Sequence, residues 1–250
     1  MEGILEHVSG TAKLLSHIVS VKDGRKTLYW VCGSYIYASM SLPLSARVLE
    51  VGGGPDPHPA TDVILEKFLN DNSHRMNSVP PLLSGRLVTV DKSGEEDVVA
   101  WNPKVVEGDV VDMPFVDKEF DFVIAKDVLE HVPDIQAAAR ELTRVAKAGF
   151  VDVPKVASEW VWPQAGKHVW TFSCHYDGKL VAHAIKFESP FGGLMHKVFA
   201  ESAEIQDAWA KSRYFFHEVV FWKGVLTIHL GEPVYAAIPH LKFTSKQGGE

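Results

Sequence analysis

A doubly wound α/β fold on a mainly parallel sheet is what this sequence predicts, on three observations. Between residues 46 and 155 short apolar runs alternate with stretches of helical spacing, the pattern of strands joined by crossover helices. The first run, Arg47-Val48-Leu49-Glu50-Val51, ends in three glycines, as a buried parallel strand does where it turns sharply. The stretch 134–149 carries the clearest helix signals: Asp134 to cap it, Gly149 to end it, and Ile135, Ala138, Ala139, Leu142, Val145 and Ala146 on one face.

The other elements follow in order. Ile4, Leu5, Val8, Ala12, Leu15, Ile18 and Val19 recur at helical spacing and predict an N-terminal helix. Lys22-Asp23-Gly24 is a turn, and the aromatic stretch to Tyr37 has no decisive period. Residues 1–45 are therefore read as a helical and aromatic cap, and 46–250 as the main domain. In that domain 59–69 is expected to be a helix, with Ala60, Val63, Ile64 and Phe68 on one side and proline in its first turn. The polar stretch 70–84 is a loop. Residues 86–91, 104–108, 120–125 and 150–153 are the second to fifth strands. Beyond 155 the texture changes to one rich in tryptophan and histidine. Asp177-Gly178 marks a hairpin, 200–210 a helix, and Lys223-Gly224 a second hairpin. An insertion covering the substrate is expected at about 156–212.

Composition narrows the function. With 25 basic against 32 acidic side chains the formal charge is −7, which argues against nucleic acid or an anionic membrane as the main partner. Two cysteines far apart, Cys32 and Cys174, exclude a disulfide framework and a cysteine-rich zinc site. The N-terminus lacks the charged and apolar regions of a signal peptide, and no apolar run approaches the ~18 residues of a membrane span. The expectation is a reduced, cytoplasmic protein.

The strongest chemical signal is Glu50-Val51-Gly52-Gly53-Gly54-Pro55-Asp56. Glycines at the carboxyl end of a first strand let a ligand approach the backbone at the sheet's switch point. Pro57 stands where a dinucleotide loop wants its third glycine, and the Gly-Lys-Ser/Thr of a phosphate loop is missing. Glu50 disfavours a polyanion and suits a cationic ligand. S-adenosyl-L-methionine, with its ammonium and sulfonium, fits better than NAD. Asp91, Asp109 and Asp127 end consecutive strands. Asp91 could accept both hydroxyls of a ribose, and Asp109 could accept from an adenine amino group while Val110 packs on the ring.

Over 47–154 the chain resembles the class I S-adenosylmethionine-dependent methyltransferases, of the broad subgroup that includes the ubiquinone and menaquinone enzymes. Glu50-Val51-Gly52-Gly53-Gly54 matches the first motif, and Val90-Asp91 the acidic end of the second strand. Gly108-Asp109-Val110, Phe120-Asp121 and Leu129-Glu130-His131-Val132 match the later ones. The chain departs from the family at Asp56, in place of the third glycine, and at the 70–84 loop, which sets Asp91 further from Gly52 than the family does. The resemblance implies a Rossmann-like seven-stranded sheet closed by an antiparallel C-terminal hairpin. The cofactor set it implies is Glu50, Gly52, Gly53, Gly54, Asp91, Lys92, Asp109, Val110 and Lys126.

A sulfonium methyl is already activated, so the protein must chiefly align the reactants and exclude water. An oxygen or nitrogen acceptor also needs a base, for which His131 is the candidate. The expected acceptor is a small molecule such as a sugar or a secondary metabolite, and the chain could pair as a homodimer. The spacings of His168, His175, His183 and His196 fit no metal motif, so no metal is expected. The rivals are a cofactor-binding protein without turnover and an NAD-dependent oxidoreductase.

Overall fold

The computed structural model describes residues 17–32, 35–71, 85–90, 96–161, 167–175, 179–186, 198 and 201–234. In chain order it opens with β1 (His17–Lys22), β2 (Arg25–Cys32) and β3 (Tyr35–Pro43). There follow β4 (Val48–Val51), β5 (Val63–Glu66), β6 (Gly85–Val90), β7 (Glu96–Trp101), β8 (Lys104–Glu107) and β9 (Phe122–Lys126). A one-turn 3-10 helix (Leu129–His131) and helix α1 (Ile135–Val145) lead to β10 (Ala148–Pro154) and α2 (Val156–Val161). The chain continues through β11 (Trp170–Cys174), β12 (Leu180–Ala184), α3 (Ala203–Ser212), β13 (His217–Lys223) and β14 (Ile228–Leu230).

The central sheet has six strands in the order β13-β10-β9-β4-β5-β8. Five run parallel, and β13 alone is antiparallel, against β10. The chain leaves β4 on one side for β5 and β8, and on the other for β9 and β10. That reversal opens a crevice at the carboxyl ends of β4 and β9. Strands β4, β5 and β9 are short apolar runs because both faces are covered. Phe122 and Ile124 of β9 pack on one face with Leu28, Trp30 and Phe150, while Val123 and Ala125 pack on the other with Ala138, Ala139 and Leu142 of α1.

The N-terminal layer differs from the expected helical cap. Residues 1–16 lie outside the described ones, but Ile18 and Val19 belong to a strand, and β1, β2 and β3 form an antiparallel meander. Trp30 is fully buried and stacks on Phe150 at 3.9 Å between ring centroids. The aromatics of this segment are therefore a core between two sheets, and one face of the parallel sheet is covered by strands instead of helices. Residues 59–69 also differ. Val63, Ile64 and Leu65 are buried in β5, where paired β-branched residues fill both faces, and no helix joins β4 to β5.

Three further expectations are corrected. The strand over 85–90 exists, but as β6 it pairs with β1 and β7 in the five-stranded sheet and not with β4. Helix α1 begins on Asp134 as predicted, with Ala137 N donating to its Oδ1 at 2.8 Å, but ends at Ala146. Gly149 lies inside β10, where a Cβ would stand 2.7 Å from the Trp222 ring. The expected hairpin of β11 and β12 forms, with Thr171 opposite His183 and Cys174 opposite Leu180, and its tip (176–178) lies outside the described residues. Strands β13 and β14 do not pair: β13 joins the central sheet, and β14 lies parallel to β12. The described sheet thus has six strands in place of seven and no C-terminal hairpin. Phe172, Leu180 and Ala182 are buried in the same core as α1, so the expected cover has its inner face built into the domain.

Candidate functional site

The turn after β4 forms one wall of the crevice. Gly52 and Gly54 have φ of +63° and +57°, values that favour glycine. Gly52 N donates to Leu65 O at 2.8 Å, which ties the turn to β5. A Cβ on Gly52 would stand 2.7 Å from Val128 Cγ2, and one on Gly53 2.8 Å from Pro57 Cβ. At Gly54 the nearest atom would be Gly52 O, 3.9 Å away, so a Cβ there would meet no clash.

Beneath the turn lie side chains closed off from solvent. Glu50 is 2% exposed, and its Oε2 accepts from His58 N at 2.7 Å and from Thr61 Oγ1 at 2.6 Å. Burial pushes its pKa up to about 7, against the pull of those two hydrogen bonds. Glu50 therefore anchors the 57–61 loop, and near neutral pH its charge is only half present, which weakens the expectation that it attracts a cation. His58, fully buried, has its pKa lowered to about 3 by desolvation. It is neutral, and its Nδ1 accepts from Ala60 N at 3.0 Å.

The strand beside β4 ends on Glu66, a buried carboxylate whose Oε1 accepts from Gly54 N at 2.8 Å. The position expected for Asp91, the acidic end of the neighbouring strand, is thus filled by Glu66. Asp91 and Lys92 lie outside the described residues, and the strand leading to them sits in the other sheet. At the end of β8, Asp109 Oδ2 is 2.6 Å from Lys67 Nζ, and its Oδ1 accepts from Val111 N at 3.3 Å. Val110 is 5% exposed and packs in the core. Lys126, ending β9, has Nζ 3.6 Å from Asp56 Oδ2 and bridges the crevice to the glycine turn.

The opposite wall begins at Asp127, in left-handed conformation at φ +55°, which aspartate tolerates better than most residues. Its Oδ1 is 3.8 Å from His217 Nδ1. His217 donates from Nδ1 to Asp152 Oδ1 at 2.7 Å, and Tyr37 Oη donates to Asp152 Oδ2 at 2.8 Å. Asp152 is fully buried in the middle of β10, a carboxylate that needs such partners to stay there. One turn further, His131 donates from Nδ1 to Lys167 O at 2.9 Å, and its ring meets the His168 ring edge-on at 4.7 Å. Desolvation, then His168, hold the His131 pKa below its ordinary value, so the imidazole is neutral at pH 7.

The structure therefore gathers Glu50, Gly52, Gly53, Gly54 and Lys126 at one crevice, with Asp109 at its β8 edge and His131 beyond β9. Glu66, Tyr37, Asp152, Glu130, His168 and His217 were not foreseen as site residues. A signal existed for two of them. Asp152 is a charge inside the apolar run Phe150-Val151-Asp152-Val153, and Glu66 closes the run Val63-Ile64-Leu65.

Part of the sequence is shared with known proteins. A family model described as a methyltransferase domain matches residues 79–150. The matched stretch includes Gly108-Asp109, Phe120-Asp121 and Leu129-Glu130-His131-Val132, and begins after the glycine turn. The match and the relatives support an S-adenosylmethionine-dependent methyltransferase domain in this chain. Among its relatives is a demethylmenaquinone methyltransferase of Staphylococcus carnosus, 30% identical over 161 residues, covering 59% of this chain and 66% of that protein. A demethylmenaquinone methyltransferase of Staphylococcus saprophyticus is 26% identical over 250 residues, covering 91% and 94%. A sterol 24-C-methyltransferase of Aspergillus fumigatus is 28% identical over 117 residues, 47% of this chain and 29% of that one. A solved S-adenosylmethionine-dependent methyltransferase from Mesorhizobium loti aligns with a TM-score of 0.29 at 12% identity, over 57% of this chain and 60% of that one. No helix among the described residues is long and apolar enough to cross a membrane.

Proposed function

We propose that this chain transfers the methyl group of S-adenosyl-L-methionine to a small-molecule acceptor, a sugar or a secondary metabolite, at the crevice between β4 and β9. The observation that carries the reading is a glycine turn, with Gly52 and Gly54 at positive φ, set against a carboxylate, Glu66, at the end of the next strand. Glu66 is the acceptor for the ribose hydroxyls, and it takes them by exchanging its bond from Gly54 N. Asp109, at the β8 edge, is the adenine contact, while Val110, packed in the core, supports it from beneath. Lys126 is the cation for the cofactor's carboxylate, which would compete with Asp56 for it.

Bound there, S-adenosylmethionine supplies a sulfonium methyl whose leaving group is a neutral thioether. The protein's own part is alignment and exclusion of water. The left-handed turn at Asp127 directs the chain from β9 toward His131, on the acceptor side. The neutral imidazole of His131, with Nδ1 donating to Lys167 O, keeps its lone pair on Nε2. Calorimetric titration tests the reading: S-adenosylhomocysteine should bind and NAD should not. Binding of NAD without binding of the sulfur ligand would overturn it.

A further inference from the structure

We propose that Glu130, His131 and His168 form a site for a divalent transition-metal ion of the zinc class at the acceptor end of the crevice. The ligand atoms of these three side chains lie within 4.8 Å of one another. Glu130 Oε1 and His131 Nε2 are 4.0 Å apart, too far for a hydrogen bond and about half an ångström wider than two ligands of one tetrahedral zinc ion. Closing to the 2.0–2.2 Å bonds of zinc asks for a small rotation of the half-exposed His131 side chain about its hydrogen bond to Lys167 O.

The second observation lies around the histidines. His131 donates from Nδ1 to Lys167 O at 2.9 Å, and His168 from Nδ1 to Glu159 Oε1 at 2.6 Å. Both tautomers are thereby set with Nε2 as the electron-pair donor. A carbonyl or carboxylate behind each imidazole is the arrangement that orients metal-bound histidines. Glu159 and Glu130 are both buried, at 3% and 2% side-chain exposure, and a divalent ion between the imidazoles would balance their charge.

The corner is also pinned. Val169 N donates to Glu130 O at 2.8 Å, and Trp170 Nε1 donates to Val132 O at 2.8 Å, so the 167–170 segment is clamped to the 3-10 helix. Two imidazoles and one carboxylate suit zinc or iron(II) better than magnesium or calcium, which prefer oxygen ligands. The half-exposed His131 would leave room for further ligands beside it. Given the methyltransferase reading, an oxygen of the acceptor would be one of them. His131 then serves as a ligand, and its lone pair is not available as a base.

Full-length protein stripped with a chelator and dialysed should bind one Zn²⁺ per chain by calorimetry, and Co²⁺ should give a visible d–d absorption band. His131→Ala and His168→Ala should each weaken Zn²⁺ binding by more than about a hundredfold and abolish the band. Glu159→Gln, which loosens His168 without removing a ligand, should weaken it by about ten- to a hundredfold. His183→Ala should leave it unchanged, because that ring is held by Ser173 Oγ and Glu232 O. Zn²⁺ binding that survives both His131→Ala and His168→Ala, or no binding by the wild type at 0.1 mM-order (~) concentrations typical of weak sites, would overturn the site. S-adenosylhomocysteine titrated into the same proteins separates the two readings. If Zn²⁺ binds as described and the sulfur ligand does not, the metal site stands and the methyltransferase reading falls.

Discussion

The turn after β4 and the corner after β9 face the same crevice, yet they are held in opposite ways. The turn is local: its glycines adopt positive φ, Gly52 N is tied to β5, and Glu50, His58 and Thr61 are closed beneath it. The corner is assembled from a distance, by Glu159, Lys167, His168 and Trp170 reaching back to Glu130, His131 and Val132. A locally built wall resists change, because its conformation is written in a few consecutive residues. A wall assembled from distant segments can be reshaped while the first stays constant. This division suits a common cofactor and a particular acceptor.

The largest effect is expected at the turn. Gly52→Ala must adopt a left-handed backbone, at about 1–2 kcal/mol, and press its Cβ on Val128, at about 1–3 kcal/mol. Urea denaturation should show a loss of roughly 2–5 kcal/mol. Unchanged stability would mean that the turn yields more easily than its contacts imply.

A pH dependence of similar size should come from the carboxyl beneath it. Glu50 holds its proton to about pH 7 in the folded chain against 4.5 ordinarily. Between those values the folded state binds the additional proton, so this group's contribution to stability falls as pH rises, by roughly 3 kcal/mol in all. His58, lowered from 6.5 to about 3, acts in the opposite sense and favours the folded state increasingly as pH rises through that window. In Glu50→Gln only the rising contribution remains. Measured by chemical denaturation, the stability of the variant relative to wild type should grow from pH 4.5 to 7. A difference that does not vary with pH would place the Glu50 pKa near its ordinary value.

The smallest effect belongs to the corner. Trp170→Phe removes one hydrogen bond, to Val132 O, and should cost about 1 kcal/mol. It should change the KM for the acceptor while leaving S-adenosylhomocysteine affinity as it was. Equal loss of both would mean that the two walls are not independent.

The same contrast explains what could be read in advance. The parallel strands other than β5, and α1, were legible because strands buried in a parallel sheet show as short apolar runs, and an Asp134 cap with an apolar stripe has one physical reading. The glycine turn was legible because three glycines after such a run have few other uses. The 59–69 segment misled because Ala60, Val63, Ile64 and Phe68 satisfy helical spacing while Val63, Ile64 and Leu65 also satisfy a short buried strand. Register against β4 and β8 decides between them, and local sequence does not contain it. The pairing of His168 with His131 was hidden for a related reason: it depends on backbone bonds between segments far apart in the chain, not on any spacing. The N-terminal aromatics gave no period because β2 and β3 carry a bulge at Trp30/Val31.

We propose that Glu66, not Asp91, receives the ribose of S-adenosylmethionine. Titrating S-adenosylhomocysteine into Glu66→Ala and Asp91→Ala tests it directly. Loss of a hydrogen-bonded charged partner is worth about 1.5–3 kcal/mol, so Glu66→Ala should bind about ten- to a hundredfold more weakly, and Asp91→Ala as tightly as wild type. A folded Glu66→Ala protein with full affinity, beside an Asp91→Ala protein that has lost it, would contradict the account.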